Sequence, residues 1–405
     1  MNRRLPLALG FAVLALVAGC AAVAWPSDSP VAAAPGGHQV GDPTWSRLYL
    51  GFAACAFVLY VLAALLVSRR GARLAALVAL AAAIQLAPLF GPLLLSTDAW
   101  TYWSYGRIAA VHHASPYTTP PSAFPHDPSY PYVGDAWRHT TSVYGPAFTL
   151  ASEPLALAQG SSADAAAWSY KALAAAAMLA AALLAARLSR RPALALVLVG
   201  WNPAMALDFA GGGHNDAWMA ALVVAALALA ASGRRQLAGA AWATASLIKW
   251  VPLVLLPLRA LEARATGRPV RHLGFGLAAA GLLVVATVAY GFSWVRAVVP
   301  LLKHAQVGSR FSLPDRLEQL GIPHGVALWL CIGALAVGYA WLLLEAHHGR
   351  ARLGLAAGFV LVATPYLAAW YVVWALPLAA AEDDPPAVWL AVGLSAYLLR
   401  QAVPL

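Results

Sequence analysis

Apolar stretches of roughly 20 residues recur along the whole chain, separated by short polar or arginine-rich turns. Each stretch can cross about 30 Å of hydrocarbon as a helix, whereas open strands are excluded from lipid because their backbone groups would stay unpaired. The pattern predicts an all-α polytopic membrane protein: one integral domain, residues 1–405, with 11 to 13 transmembrane helices. The predicted segments are 5–25, 46–68, 74–95, 164–187, 192–209, 217–232, 236–258, 273–293, 325–344, 353–365, 371–381 and 387–404.

Two stretches depart from simple alternation across the membrane. Residues 146–160 are apolar but short and contain Glu153. A crossing there would place every later arginine cluster on the wrong side of the membrane, so we expect a re-entrant or interfacial helix on the outer face. Residues 236–258 have arginines at both ends, with Lys249 and Pro252 between them. We expect a broken helical hairpin that enters and leaves from the cytoplasmic side, with Lys249 near its tip.

Composition agrees with this class. Hydrophobic residues make up 61% of the chain and charged residues only 10%, against about 25% charged in soluble domains. The cysteines at 20, 55 and 331 lie in apolar segments without paired spacing, which is typical of small core residues. His112 and His113 are adjacent, a poor spacing for two ligands on one helix face, so we expect no metal site there.

Basic residues set the orientation, because arginine-rich helix ends stay in the cytoplasm. Residues 1–25 are either an uncleaved first helix, which we favour, or a signal sequence. With the amino terminus inside, residues 26–44, 96–145 and 294–324 form outer loops, and residues 382–386 form an inner turn. The net charge of +10 thus reflects topology, not nucleic-acid binding. The arginine clusters are Arg3/Arg4, Arg69/Arg70/Arg73, Arg187/Arg190/Arg191, Arg234/Arg235, Arg259/Arg264/Arg268/Arg271 and Arg350/Arg352.

The outer loop 96–145 is the strongest candidate for chemistry. Asp98 lies at the start of the loop, beside hydrocarbon. An unpaired carboxylate there costs several kcal/mol, so such a residue is a functional candidate by default. The alternative is that Asp98 caps the N-terminus of a helix at 100–110. Arg107 and Arg138 could hold a phosphate, and Arg107 could instead pair with Asp98. The loop's aromatic residues could stack on sugar faces or form an interfacial belt: Trp100, Tyr102, Trp103, Tyr105, Tyr117, Phe124, Tyr130, Tyr132, Trp137 and Tyr144.

A second polar turn, residues 211–218, is predicted to face the same side. Its three glycines would let the backbone approach a ligand closely. His214 and Asp216 would add an acid–base pair. A glycine-rich turn followed by an Asn215 or Asp216 N-cap explains the glycines and Asn215 but does not call for His214.

Isolated cations complete the candidates. Lys249, inside an apolar hairpin, needs an anion or a cavity, although snorkelling to the membrane surface is the alternative. Arg310 and Arg316 lie in the loop 294–324 and could meet a lipid phosphate or remain solvated.

These features occur in an order that resembles a known family. The motifs are Asp98 after an early helix, Tyr144-Gly145-Pro146 closing the loop, Gly212-Gly213-His214-Asn215-Asp216, Ile248-Lys249 before Pro252, and Trp370-Tyr371-x-x-Trp374-x-x-Pro377. The chain resembles GT-C glycosyltransferases that use polyprenol-phosphate sugars, most of all the actinobacterial polyprenol-phosphomannose-dependent α-1,6-mannosyltransferases. No single motif is specific, and the matching segments cover about a third of the chain: 96–146, 202–218, 246–258 and 364–377.

The resemblance implies a GT-C-like helical bundle and transfer of a hexose, mannose above all. The donor would be a polyprenyl-phosphate sugar and the acceptor a glycolipid or glycan of the cell envelope. It implies inversion at the anomeric carbon with Asp98 as general base, no metal or other cofactor, and a multi-pass plasma-membrane enzyme whose site faces outward. The substrate-binding residues predicted are Trp100, Tyr102, Arg107, Tyr117, Tyr144, His214, Asn215, Asp216, Lys249, Arg310, Trp370 and Tyr371.

Some features differ from the family pattern. The chain is compact, two helices precede the one that delivers Asp98, and the acids Asp127 and Asp135 lie well after Asp98. These differences bear on the identity of the substrate and not on the class of enzyme that the resemblance implies. The main alternative is a transporter or flippase of a polar or lipid-linked precursor, which also uses broken helices; no inverted repeat is visible to favour it. A structural subunit of an envelope complex is a third hypothesis.

Overall fold

The protein is described here by a computed structural model covering residues 4–70, 73–268 and 273–405. This described part is helical, and its one β-bridge joins Ala32 to Leu94. The α-helices are α1 Leu5–Ala22, α2 Pro43–Arg70, α3 Leu74–Leu86, α4 Asp98–Ala110, α5 Asp135–Arg138, α6 Pro146–Gln159, α7 Ala163–Leu188, α8 Pro192–Gly200, α9 Pro203–Ala206, α10 Asp216–Ala231, α11 Arg235–Ile248, α12 Pro252–Ala265, α13 Leu273–Tyr290, α14 Val298–Val307, α15 Leu313–Gln319, α16 His324–His347, α17 Leu353–Ala363, α18 Leu376–Ala381 and α19 Pro385–Leu398.

Within the described ranges, five helices are long and apolar enough to cross a membrane. They are Leu5–Ala22, Pro43–Arg69, Ala163–Leu188, Leu273–Lys303 and His324–His347. A sixth span is the bent pair α8 and α9 with its continuation to Gly211, and shorter apolar helices surround these. The prediction of an all-α polytopic membrane protein is therefore confirmed. The total of 11 to 13 crossings stays a prediction, because the shorter helices do not qualify by length alone.

The predicted segment 192–209 is not one straight helix. Its halves meet at 51° between Gly200 and Pro203. Asn202 causes the bend: its side-chain oxygen accepts hydrogen bonds from the backbone N–H groups of Ala204 and Met205 and starts a new helix. Pro203 follows at the first helical position, where the missing N–H costs nothing.

Small residues let the central helices approach closely. Gly10 of α1 faces Trp201, and a Cβ there would lie 2.5 Å from the indole ring. Trp201 is fully buried and its Nε1–H donates to Leu77 O of α3 at 3.1 Å. Gln85 of α3 reaches back to Gly200 O. Such close packing with interhelical hydrogen bonds is how helices associate in lipid, where burial of apolar surface offers little.

Several predicted inner turns meet at one end of the bundle. Arg352 forms a bidentate ion pair with Asp384 at 2.7 and 2.9 Å. Asp383 accepts from Ser189 Oγ and from Arg190 N, in the turn that precedes α8. The turns 189–191, 350–352 and 382–384 therefore pack together, as the alternation of arginine-rich ends requires. Arg3 and Arg271, which also support the predicted topology, lie outside the described residues.

The two irregular stretches differ: 236–258 has the expected break, whereas the re-entrant or interfacial position expected for 146–160 stays a prediction. Residues 146–160 form the 14-residue helix α6, which packs on α4 and α11. In the predicted hairpin, α11 ends at Ile248 and α12 begins at Pro252. Between them Lys249 is extended (φ −150°, ψ 140°). The loop 96–145 carries α4 and α5, and the loop 294–324 carries α14 and α15.

Candidate active site

A cavity of about 440 Å³ lies among the predicted outer segments. Its volume is in the usual range for small-ligand sites, roughly 300–1,000 Å³. The helix α7 separates the cavity from the predicted inner turns. Its first residue, Ala163, accepts a hydrogen bond from Trp100 Nε1 in the outer loop, and the turn after its last residue is bonded to Asp383. The lining residues are Gly37, Gln39, Leu95, Ser96, Thr97, Asp98, Tyr102, Trp137, Val143, Tyr144, Asp216, Lys249, Trp250, Val251, Leu301, Thr364, Tyr366, Trp370, Tyr371 and Trp374.

Asp98 lies in the first turn of α4 with its side chain 14% exposed to the cavity. Its Oδ2 is 3.1 Å from His214 Nδ1 and accepts a hydrogen bond from the Tyr102 hydroxyl at 3.4 Å. The N-cap position belongs to Thr97, and the helix begins at Asp98 rather than at residue 100. The capping alternative therefore does not describe Asp98, whose carboxylate is held by two side chains from the cavity wall.

His214 lies behind Asp98 and is almost completely buried. Its ring stacks on Trp370, with centroids 3.7 Å apart and planes at 11°. The preceding glycines make room for it, because a Cβ on Gly212 would lie 2.7 Å from Asp208 O and 2.9 Å from the imidazole. Gly213 also has a left-handed backbone (φ 74°), which glycine adopts without strain. The glycine run thus fixes the histidine against Asp98.

Asn215 precedes α10, but its side chain makes no capping hydrogen bond. Its backbone N–H instead approaches the Tyr102 hydroxyl at 3.5 Å. Asn215 thus occupies the N-cap position that the sequence predicted, but its side chain does not cap the helix. The turn connects α10 to the tyrosine that also contacts Asp98.

Asp216 and Lys249 form a second polar pair at the cavity. Lys249 Nζ lies 2.6 Å from Asp216 Oδ1, and the indole N–H of Trp374 donates to the same oxygen at 2.6 Å. The ammonium also lies over the rings of Tyr371 and Trp374, at 4.6 and 5.5 Å. Asp216 is fully buried, and its Oδ2 has no hydrogen-bond partner among the described residues. Snorkelling does not describe Lys249, which has an anion and a cavity.

Aromatic residues form much of the remaining wall. Tyr102 and Tyr144 meet edge to face with centroids 4.9 Å apart. Tyr371 stacks on Trp374 at 4.2 Å. Burial, together with the nearby negative charge of Asp98, raises the pKa of Tyr366 to about 12. Its hydroxyl therefore stays protonated at neutral pH and can donate a hydrogen bond. The wall offers flat apolar rings with a few polar tips.

Besides His214 and Asn215, which lie behind the cavity wall, four more of the predicted substrate-binding residues do not line the cavity. Trp100 donates to Ala163 O and packs on Tyr132. Tyr117 lies behind Tyr144, to whose carbonyl its hydroxyl donates at 3.1 Å. Arg310 is exposed and is absent from the lining.

Arg107 is the fourth, and it pairs neither with Asp98 nor with any group of the cavity. Its Nε donates to both carboxylate oxygens of Asp127, at 2.9 and 3.0 Å, and its Nη1 donates to Gly160 O. Burial would raise the pKa of Asp127, but hydrogen bonds from Arg107 and Ser129 outweigh this effect and lower the pKa to about 2. This network stabilises the loop rather than contacting the cavity.

The sequence reasoning missed several lining residues. Trp374 and Tyr366 lie in the segment 364–377, which resembles the family, and their aromatic side chains could have indicated a position in the cavity wall. Gly37 and Gln39 come from the linker 26–44, whose predicted outer position was the only signal for them. Within the described ranges, no three His, Cys, Asp or Glu residues cluster as a metal site would require.

The fold and cavity define a class: a polytopic helical membrane protein with a buried carboxylate–histidine pair and a carboxylate–lysine pair at one enclosed cavity. Residues 7–264 match the family model described as "Alpha-(1->6)-mannopyranosyltransferase, N-terminal domain". Because this match covers more than half of the chain, the protein belongs to that family.

Two curated actinobacterial proteins are similar to this chain. A probable alpha-(1->6)-mannopyranosyltransferase of Mycolicibacterium smegmatis is 24% identical over 362 residues, covering 73% of this chain and 63% of that protein. Alpha-(1->6)-mannopyranosyltransferase A of Corynebacterium glutamicum is 23% identical over 357 residues, covering 76% of this chain and 72% of that protein. The chain thus spans less than two thirds of the first relative's length. No solved structure matches the chain.

Proposed function

We propose that this protein is a membrane glycosyltransferase that moves a hexose, namely mannose, from a polyprenyl-phosphate sugar to a glycolipid or glycan acceptor. The proposal rests above all on one observation: Asp98 and the Asp216–Lys249 pair line the same cavity. One carboxylate is available as a proton acceptor, and a cation lies on the same wall. Membership in the mannopyranosyltransferase family supports mannose as the sugar.

In the proposed reaction, an acceptor hydroxyl attacks the anomeric carbon of the donor while the bond from that carbon to the phosphate oxygen breaks. The hydroxyl proton passes to Asp98, and the polyprenyl phosphate leaves as an anion. Attack opposite to the leaving group inverts the anomeric configuration. A positioned base typically contributes about 10²–10⁴-fold to such a step.

Asp98 suits the role of base better than Asp216. Asp216 Oδ1 already accepts hydrogen bonds from Lys249 and Trp374 at 2.6 Å each. Among the described residues, the contacts of Asp98 fall on Oδ2, so Oδ1 remains for the acceptor hydroxyl. His214, locked between Asp98 and Trp370, would orient the carboxylate when Nδ1 carries the proton.

Lys249 is the proposed contact for the donor phosphate, because developing negative charge on a leaving group is best stabilised by a preorganised cation. Its aromatic neighbours Tyr371 and Trp374 keep the ammonium in place.

Asp216 Oδ2, buried without a partner among the described residues, could accept a hydrogen bond from a sugar hydroxyl. We place the cavity at the outer face of the plasma membrane, in agreement with the predicted topology.

The test is Asp98→Asn, assayed for mannose transfer from polyprenyl-phosphate mannose in membranes. We expect a loss of at least about 100-fold, since the amide keeps the shape but cannot accept the proton. The matched control is Asp164→Asn, an exposed acid in the first turn of α7. Full activity of Asp98→Asn would overturn the general-base role. Solute accumulation in sealed proteoliposomes without any lipid-linked sugar would favour a transporter.

A further inference from the structure

The linker 26–44, which joins α1 to α2, crosses one side of the cavity. We call this linker the strap. At its start, Ala33 N donates to Leu93 O at 2.7 Å and Leu95 N donates to Val31 O at 3.0 Å, which forms the β-bridge with the segment leading to Asp98. The strap is therefore attached to the same backbone that delivers the proposed base.

Hydrogen bonds also join the two ends of the strap to each other. Asp42 N donates to Asp28 O at 2.9 Å, and Trp45 Nε1 of α2 donates to Asp28 Oδ1 at 3.1 Å. At the tip, His38 Nε2 lies 2.7 Å from Asp135 Oδ2 of α5. Gly36 is buried against Asp135 and Arg138, with a left-handed backbone (φ 71°). The strap thus has contacts at both ends and at its tip.

This attachment brings Gly37 and Gln39 to the cavity, together with Trp137 of α5. The wall they form carries no charged lining residue, and Val143 and Leu301 are also uncharged. The charged lining residues belong to other segments, namely Asp98, Asp216 and Lys249. The strap and Trp137 therefore add uncharged residues, which we call the neutral side, to a lining whose charges come from other segments.

We propose that the neutral side, formed by the strap and Trp137, is the acceptor subsite and selects an uncharged glycan. The Gln39 amide carries both a donor and an acceptor, as neighbouring sugar hydroxyls require. The Trp137 indole offers a flat apolar face for the C–H side of a pyranose ring. The anionic donor stays on the Lys249 side, and the acceptor hydroxyl reaches Asp98 from the strap. This assignment rests on the proposed function.

The experiment compares purified Gln39→Ala and Trp137→Ala variants with the wild type. The acceptor probe is a neutral α-1,6-linked mannotetraose, and the donor is polyprenyl-phosphate mannose. We expect the acceptor KM to rise about tenfold in each variant, while the donor KM stays within twofold. Val40→Ala is the matched control, since Val40 is 87% exposed on the same strap and does not line the cavity. Trp137→Phe, which keeps an aromatic face, should restore part of the acceptor affinity.

Unchanged acceptor KM values in both Gln39→Ala and Trp137→Ala would overturn the proposed acceptor subsite. A rise in the donor KM in place of the acceptor KM would overturn it as well. If Trp137→Ala fails to fold, Gln39→Ala and Trp137→Phe still decide the question. Direct binding of the mannotetraose, measured by calorimetry on Asp98→Asn protein, separates the two proposals. Binding that depends on Gln39 supports the subsite even if no transfer occurs, whereas absence of binding overturns it.

Discussion

At the residue scale, Arg107 and Asp127 show how a plausible ligand contact can be structural. Both side chains are nearly buried, 11% and 5% exposed. Asp127 also accepts from Ser129 and lies 2.7 Å from His112 Nε2, whose ring stacks on Phe124. A carboxylate with this many partners joins the loop 111–134 to α4, and its removal would leave an arginine buried without its anion.

We predict that Asp127→Asn destabilises the protein by about 2–3 kcal/mol, because Arg107 loses its charged partner in a desolvated setting. The matched control is Asp135→Asn in the same loop, whose side chain is 46% exposed and should change stability by less than about 1 kcal/mol. Thermal unfolding in detergent measures both. Equal effects of the two variants would contradict a structural role for the Arg107–Asp127 pair.

The same pair predicts a pH dependence. The folded-state pKa of Asp127, about 2, lies below its ordinary value of 3.8, so the stabilisation is complete above about pH 4 and is lost as pH falls toward 2. In Asp127→Asn this part of the acid dependence should disappear, which acid titration of the two proteins by circular dichroism would measure.

Polar residues in apolar surroundings were the most predictable part of the site. Asp98, His214 and Lys249 stood out because their burial would be costly without a function or a partner. Arg107 stood out as a cation of the outer loop and Tyr117 as one of its aromatic residues, yet their partners lie elsewhere in the outer loop and in α6. Sequence alone indicated that each side chain needs a partner, but not which partner it has.

At the element scale, the turn 382–384 connects three helices at the inner end. Glu382 accepts from the backbone N–H groups of Leu353 and Gly354, which begin α17. Asp383 accepts from the backbone N–H of Arg190 in the turn before α8, and Asp384 forms an ion pair with Arg352. Carboxylates at helix N-termini satisfy free N–H groups and interact favourably with the helix dipole. An acidic run that reads as a simple loop in sequence is therefore a junction between helices.

We predict that Arg352→Met lowers stability by about 3 kcal/mol, because Asp384, only 3% exposed, would keep its charge without a partner. Arg350→Met removes the same charge two residues earlier, where the side chain is exposed, and should have little effect. Thermal shift measurements on both variants provide the comparison. A similar loss in Arg350→Met would point to membrane insertion rather than to the ion pair.

At the scale of the whole molecule, the bundle has two chemically distinct ends. One end carries the inner turns 189–191, 350–352 and 382–384, and the other carries the cavity. The helix α7, with 26 residues, spans about 39 Å between them, enough to cross a bilayer. The apolar helix surfaces between the two ends remain exposed, which suits contact with lipid.

This arrangement predicts opposite accessibility of two single cysteines. In a cysteine-free background, Val40→Cys on the strap should react with an impermeant maleimide in intact cells, because it is 87% exposed on the cavity side. Ser232→Cys, exposed in the turn between α10 and α11, should react only after the membrane is permeabilised. Labelling of both from the same side would contradict the topology and the outward orientation of the cavity.

The sequence by itself determined the helical membrane class, the break near Lys249, and the polar residues that need partners. These follow from local rules, because apolar length, proline and isolated charge act on neighbouring residues. Only the tertiary structure decided that Asp98 meets His214, that Asp216 meets Lys249, and that the strap reaches the cavity. Such pairings join residues far apart in the chain, and helix packing selects them among many partners of equal chemistry.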